Sequence, residues 1–313
     1  MDHAGLANPD ALCCVNVVVQ SLFHITAFRR AVLEAADDAV VTAELADVFR
    51  RMEAPGCSVC CRRLLHLCME EAEEGVQHDA AEVRLSLLGA LEDEAAGEGA
   101  VARCLDALFK GSKEIVLRSS GKDVVLPEQF LDLRCSVVDP MGRPHGTLEA
   151  ALRSLRQTVE VKSLSGAPTG SSMASSFPKL PPVLAVHIER SDHDAGGEKS
   201  SSRLDFPERL DTGALAPGGG EYVLHSVVSH SGTAASGHYV VFARPSLRRW
   251  YIFEDESVGE CTADEAVREQ SGQDAHARDS FATGRSPFLA FMLTYLREDM
   301  VADILGPGVG PPT

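Results

Sequence analysis

Positive charge is scarce in this chain. Its 313 residues carry 29 Lys and Arg against 46 Asp and Glu, a formal net charge of −17 with histidine neutral. That balance argues against nucleic acid as a partner and suits a basic peptide instead. Long apolar runs are missing as well: every hydrophobic stretch is interrupted too soon to span a membrane. Met1-Asp2-His3-Ala4-Gly5 has neither the basic nor the apolar segment of a secretory leader. The expectation is a protein of the cytoplasm, or of cytoplasm and nucleus, whose 9 cysteines are reduced thiols rather than a disulfide framework. No internal repeat is visible. Cys57-Ser58-Val59-Cys60-Cys61, with His66 and Cys68, has metal-ligand spacing, but no second cysteine pair completes a four-ligand set. The same stretch reads better as a helix turning Cys61, Leu64, Leu65 and Cys68 inward, and no metal is expected.

With 44% hydrophobic residues, a chain of this length buries a large core, as one multi-lobed domain or two closely packed subdomains. Residues 13–110 read as mostly helical. Val15, Val18, Val19, Leu22 and Phe23 recur at helical spacing, as do Leu45, Val48, Phe49 and Met52; Asp79 opens a helix with Val83, Leu87 and Leu91 on one face. From Glu114 onward the pattern turns to strands, broken by a helical stretch over 147–155. Segments 222–230, 237–244, 250–255 and 288–297 predict strands of a mainly antiparallel sheet. Helices first and sheet afterwards predict an α+β architecture. Segments 163–176, 191–202 and 213–220 are rich in small and polar residues and read as mobile surface segments. The Gly/Pro-rich end reads as a frayed tail, and Glu70-Glu71-Ala72-Glu73-Glu74 as a solvated helix face.

Cys13 follows a stretch of turn-forming residues, Gly5-Leu6-Ala7-Asn8-Pro9-Asp10, and precedes the apolar helical pattern, which sets it at or near a helix N-terminus. The partial positive charge there predicts a lowered thiol pKa. Asn8, on the same loop, can aim its amide at an oxyanion forming beside the sulfur. Far downstream, Gly237-His238-Tyr239 offers a base, and Trp250-Tyr251-Ile252-Phe253-Glu254-Asp255 a carboxylate to orient it. Nucleophile, base and orienter in that chain order form a papain-like arrangement.

Further blocks stand between these residues: Gln77-His78-Asp79-Ala80-Ala81-Glu82, Leu131-Asp132-Leu133, Thr147-Leu148-Glu149-Ala150, Leu180-Pro181-Pro182-Val183, Phe206-Pro207-Glu208-Arg209-Leu210-Asp211 and Ala290-Phe291-Met292-Leu293-Thr294-Tyr295-Leu296-Arg297. In this order, the chain resembles the ubiquitin-specific protease family nearly end to end. Cys13-Cys14 and Gln77-His78-Asp79-Ala80-Ala81 look most like its interferon-induced branch, which removes the interferon-stimulated ubiquitin-like modifier. The resemblance implies an α+β, papain-like cysteine protease architecture with a helical thumb, an antiparallel-sheet palm, and fingers. Here the fingers are expected to be reduced and zinc-free. The family's two CxxC pairs would fall after Leu108-Phe109-Lys110-Gly111 and within 163–176, and neither place holds a cysteine. The implied layout is a leader at 1–4, a catalytic domain at 5–298 with a helical lobe to 112 and a sheet-rich lobe from 113, and a flexible tail at 299–313.

The implied reaction is hydrolysis of the bond between a modifier's C-terminal glycine and a target lysine, with Cys13 as nucleophile, His238 as general base and acid and Asn8 in the oxyanion hole. It needs no metal and no organic cofactor. Implied partners are ubiquitin or a ubiquitin-like modifier and its conjugates, together with interferon-signalling proteins; neither nucleic acid nor membrane is among them. Asp79 and Glu82 correspond to acidic positions that meet the modifier's arginines, and Ala81 with Leu85 to a small apolar patch on one helix face. The plainer alternative makes Asp79 a charge at a helix start. Gln20 and Gln77 are candidates for supporting hydrogen bonds.

The chain departs from the family pattern at two places. Directly after the Phe of the Trp-Tyr-x-Phe block the family has Asp or Asn; here Glu254 stands there and Asp255 follows. Glu254 is favoured as orienter with Asp255 the alternative, since neighbouring strand positions point to opposite faces. In the nucleophile loop Pro9, Asp10 and Leu12 replace the usual Leu, Gly and Thr, and Asp10 lacks glycine's freedom at positive φ. These departures keep open a second expectation: a catalytically weak or inactive adaptor of the same fold, regulating interferon signalling by protein binding.

Overall fold

The structure, a computed structural model, describes residues 3–35, 39–54, 58–73, 75–119, 122–160, 172–190, 199–233, 236–273, 288–307 and 309. Helices come first: α1 (Cys13–Phe23), α2 (Thr26–Glu34), α3 (Val40–Glu53), α4 (Arg62–Cys68), α5 (Ala80–Ala95) and α6 (Gly99–Leu108). α1 is apolar on nearly every side, and all of its residues are buried, as a helix at the centre of a bundle must be. Its polar side chains find partners: Gln20 Nε2 donates to the Ala4 carbonyl at 2.7 Å and Ser21 Oγ to the Val17 carbonyl at 2.7 Å. α3 and α5 bury the stripes that the sequence marks, Leu45, Val48, Phe49 and Met52 on one, Val83, Leu87 and Leu91 on the other. Asp79 caps α5, its carboxylate accepting from the N–H groups of Ala81 and Glu82 at 2.7 and 3.2 Å.

Strands follow. β1 (Gly111–Ser119) and β2 (Lys122–Phe130) form a hairpin; β3 (Leu133–Ser136), β4 (Gly146–Thr147), α7 (Leu148–Ser154), β5 (Val159–Glu160) and β6 (Ser172–Lys179) come next. Then come β7 (Val183–Glu189), β8 (Leu204–Asp205), β9 (Arg209–Asp211), β10 (Glu221–Gly232), β11 (Gly237–Ala243), β12 (Trp250–Glu254), β13 (Ser257–Cys261), α8 (Ala263–Ala266), β14 (Leu289–Arg297) and α9 (Val301–Leu305). β2-β1-β6-β5 is one sheet, the fingers. The larger sheet runs β13-β12-β11-β10-β14-β7-β3, with β9 also on β10 and only the β3–β7 pair parallel. Its period-2 alternation feeds two cores. Val223, Val228, Val241, Phe253 and Met292 pack against the helical bundle, whereas Leu224, Val227, Val240, Trp250 and Leu293 pack with α7 and the 204–216 segment on the other face. This is the α+β fold with helical thumb and sheet palm expected from the sequence.

Several expectations need correction. Residues 172–176 belong to β6, paired with β1, while 163–171 and 191–198 lie outside the described residues. Segment 213–220 is ordered rather than mobile: Leu215 and Ala216 are buried, and Thr212 Oγ1 accepts from the Gly220 N–H at 3.1 Å. α4 ends at Cys68, so Glu70 and Glu71 lie on a turn and Glu73 in irregular chain, none on a helix face, Glu74 falling outside the described residues. The expected tail continues instead into α9, which buries Val301, Ile304 and Leu305 because those positions share one helical stripe; 308 and 310–313 lie outside the described residues. At the other end the His3 ring packs edge-on against Tyr251 with centroids 4.5 Å apart, and the Ala4 carbonyl accepts from Gln20 Nε2. β1, β2 and β6 contain neither Cys nor His, which does not fit a zinc site in the fingers. Cys57 of the other candidate cluster lies outside the described residues, and among the described residues no group of His, Cys, Asp and Glu is placed to hold a metal. No helix among the described residues is long and apolar enough to cross a membrane.

Candidate active site

The 5–12 loop is docked from below by the β12–β13 turn. The Leu6 N–H donates to the Asp255 carbonyl at 2.8 Å and the Ala7 N–H to the Val59 carbonyl at 2.7 Å. At Gly5 the approach is so close that an added Cβ would stand 2.3 Å from the Glu256 carbonyl oxygen. Asp10 does not take a positive φ; the residue of the loop that does is Ala11 (φ 52). Asp10 instead ion-pairs with Arg62 at the start of α4. Ala11 turns the chain into α1; Asn8 Oδ1 accepts the Leu12 N–H at 2.5 Å, and Cys13 becomes the first helical residue. The helix N-terminus is where the sequence puts it.

Opposite stands β11. Gln77 clasps its first residue from both sides: Oε1 accepts the Gly237 N–H at 2.6 Å, and Nε2 donates to the Gly237 carbonyl. The same Nε2 lies 3.7 Å from Cys13 Sγ. The Tyr239 backbone N–H also favours the thiolate of Cys13, while Gly237, on the other side of His238, is joined to the candidate nucleophile through Gln77. His238 Nε2 faces two carboxylates, Glu254 Oε1 at 3.3 Å and Asp255 Oδ2 at 3.9 Å. Nδ1 is thereby left as the nitrogen available to the sulfur. Alternation along the strand predicts that only one of the two acids can face the imidazole. The structure corrects this: β12 ends at Glu254, and Asp255 enters the left-handed region at φ 50, which turns its side chain back.

Asp255 is the more embedded of the pair. Its Oδ2 accepts from Asn8 Nδ2 at 2.8 Å and its Oδ1 from Asn16 Nδ2 at 2.8 Å. The Asn8 backbone N–H donates to Glu256 Oε1 at 3.1 Å. Asn16 and Glu256 are not among the residues that the sequence singles out. For Asn16 the signal was present, a polar residue inside a run of valines, one helical turn after Cys13.

The lowered thiol expected for Cys13 is also corrected. Burial raises its pKa above the ordinary value; the Tyr239 N–H opposes this, and the Asp255 charge adds to it. Desolvation outweighs the helix terminus because Cys13 is 1% exposed. The neighbouring Cys14 is pushed up to about 11 by burial, and its Sγ points to the Ala11 carbonyl at 3.9 Å. Cys13, not Cys14, faces the Gln77–His238 side.

Of the residues expected to meet the modifier, Glu82 is exposed at the start of α5 and Asp79 caps that helix. Ala81 is buried and contributes no surface patch. Leu85 lines a cleft of about 530 Å³ between α5 and the fingers, with Lys113, Glu128, Phe130, Arg134 and Phe177.

Comparison with known proteins agrees with this geometry. Residues 4–295 match the family described as ubiquitin carboxyl-terminal hydrolase. The chain is 29% identical over 333 residues to ubiquitin C-terminal hydrolase 13 of Arabidopsis thaliana, covering 94% of this chain and 29% of that protein. It is 27% identical over 332 residues to ubiquitin carboxyl-terminal hydrolase 7 of Drosophila melanogaster, 97% of this chain and 28% of that protein. With human Ubl carboxyl-terminal hydrolase 18 it shares 27% identity over 285 residues, 81% of this chain and 76% of that protein. The chain thus spans under a third of the length of the first two relatives and about three quarters of the third. With a papain-like order of cysteine, histidine and carboxylate, and a family match that runs over residues 4–295, this chain belongs to the ubiquitin carboxyl-terminal hydrolase family.

Proposed function

We propose that this chain is a thiol-dependent isopeptidase, hydrolysing the bond between the C-terminal glycine of ubiquitin or a ubiquitin-like modifier and a target lysine. The observation that carries the reading is the convergence at one point of Cys13, Gln77, His238 and two carboxylates, drawn from four separate parts of the chain. Cys13 Sγ attacks the glycine carbonyl after passing its proton to His238, which returns it to the departing lysine amine. Because burial raises the thiol, the ion pair with His238, held by Glu254 at Nε2, supplies the thiolate. The first amides of α1 and the Asn8 side chain receive the oxyanion; losing one such donor typically costs about 2.7–4 kcal/mol in the barrier. Water, deprotonated by His238, then releases the acyl group.

The modifier's body would occupy the cleft between α5 and the fingers, with Leu85 on its wall and Glu82 at its rim facing arginines of the tail. The finer reading, that the modifier is the interferon-stimulated one, is supported by Cys13-Cys14, by Gln77-His78-Asp79-Ala80-Ala81 and by the 76% coverage of a relative named for a ubiquitin-like substrate. The test is steady-state cleavage of fluorogenic amides of both modifiers. Turnover of either by the wild type, with a loss of about a thousand-fold or more in Cys13→Ala and His238→Ala, supports the isopeptidase. Tight binding of a modifier without turnover would replace it with the adaptor.

A further inference from the structure

We infer that Asn16 is a positioning residue for the hydrolysis, holding Asp255 so that Asp255 in turn fixes the amide of Asn8. The inference rests on the proposed roles of Cys13, His238 and Asn8 and deepens them. Asn16 is 2% exposed in a helix that is otherwise almost wholly apolar. Burying an amide there is costly unless it is bonded, and its Oδ1 has no partner among the described residues. The whole benefit lies at Nδ2, which reaches Asp255 Oδ1 at 2.8 Å and the Ala7 carbonyl at 3.3 Å.

The consequences can be followed atom by atom. With Oδ1 held by Asn16, the Asp255 carboxylate presents Oδ2 to Asn8 Nδ2 at 2.8 Å. Asn8 Oδ1 is already occupied by the Leu12 N–H. The Asn8 amide plane is therefore pinned at both ends, and one Nδ2 proton remains free to meet an oxyanion at Cys13. Asp255 Oδ2 is also 3.9 Å from His238 Nε2. Without Asn16 the carboxylate is free to turn towards the imidazole, competing with Glu254 and releasing Asn8. Asn16 thus keeps the two acids in separate roles, Glu254 for the imidazole and Asp255 for the oxyanion donor.

A purely structural Asn16 would tie the 6–7 carbonyls to α1 and nothing more. Two reactions at Cys13 separate the alternatives. Hydrolysis of the p-nitrophenyl ester of an N-acylglycine passes through an oxyanion. Alkylation by iodoacetamide does not: the thiolate displaces iodide at a saturated carbon, forming C–S and breaking C–I. The expected result for Asn16→Ala is a fall in ester kcat of about 100-fold with KM and alkylation rate within about 3-fold of wild type. Asn16→Asp sets two carboxyls against each other, one of which must hold a proton. Its deficit relative to wild type should therefore shrink as pH is lowered, whereas that of Asn16→Ala should not change. Parallel loss of hydrolysis and alkylation, or undiminished hydrolysis, overturns the inference. If Asn16→Ala has no cooperative thermal transition, a pH-independent deficit in Asn16→Asp overturns it. An active wild type on the ester that leaves fluorogenic ubiquitin and the interferon-stimulated modifier intact would count against the proposed substrates alone.

Discussion

Glu254 and Asp255 approach the same nitrogen of His238 with side chains that are 52% and 12% exposed. The exposed one is replaceable in the fold; the embedded one is not. Glu254→Ala is expected to lower kcat about 10-fold with KM and thermal midpoint unchanged, because only imidazole orientation is lost. Asp255→Ala should lower kcat further and cost about 1–3 kcal/mol of stability, since the amides of Asn8 and Asn16 lose their acceptor. Denaturant melts beside steady-state kinetics check both; equal effects on stability would contradict the division. A second expectation follows from the buried thiol. In His238→Ala, alkylation of Cys13 should rise with pH around a midpoint above the ordinary 9.0, burial being the largest cause of its upward shift. A midpoint below the ordinary value would mean that the helix terminus wins. At this scale the meeting of Cys13, Asn8 and His238 in space is legible in the sequence because their neighbours are. The placement of Asp255 beside the imidazole is not, since a single φ of 50 reverses the side that strand alternation assigns.

Among the elements, the proposed site depends on the 5–12 loop laid on the β12–β13 hairpin. An added methyl at Gly5 would stand 2.3 Å from a backbone carbonyl that has no rotamer with which to escape. Gly5→Ala must therefore lift the loop off the hairpin, breaking the Leu6 N–H bond to the Asp255 carbonyl. The expected outcome is a lower thermal midpoint with hydrolysis and alkylation falling together, a pattern different from that of Asn16→Ala; unchanged kinetics would contradict the docking. Elements with long periodic patterns, such as α3, α5, β10 and β11, are readable from the spacing of their apolar residues alone. α9 is not, for five residues carry too little periodicity to outweigh a Gly/Pro-rich continuation. The ordered 213–220 segment is hidden for a related reason: its small residues are held by Thr212 and by burial of Leu215, which composition does not reveal.

For the molecule as a whole, acid is the expected weakness. His225 is fully buried with neither ring nitrogen bonded among the described residues, and burial pushes its pKa down to about 3; His230 is pushed down to about 4 and His24 well below its ordinary value. In the unfolded chain these rings take up protons near about 6.5. Between those values the unfolded state binds more protons, so stability falls as pH drops below about 6.5 and goes on falling towards the folded values. His225→Leu should flatten that slope in melts at successive pH values; an unchanged slope would assign it to carboxylates instead. The two-sided core, with helices on one face of the palm and α7 on the other, is foreshadowed by the switch from helical to alternating pattern near Glu114. The central claim, that Cys13 is the nucleophile of a modifier-directed isopeptidase, is tested most directly by intact-mass analysis after incubation with ubiquitin and with the interferon-stimulated modifier, each bearing a C-terminal propargyl amide. A single adduct on the wild type with at least one modifier, absent from Cys13→Ala, is the predicted result; an adduct that survives in Cys13→Ala, or none on the wild type with either, would contradict it.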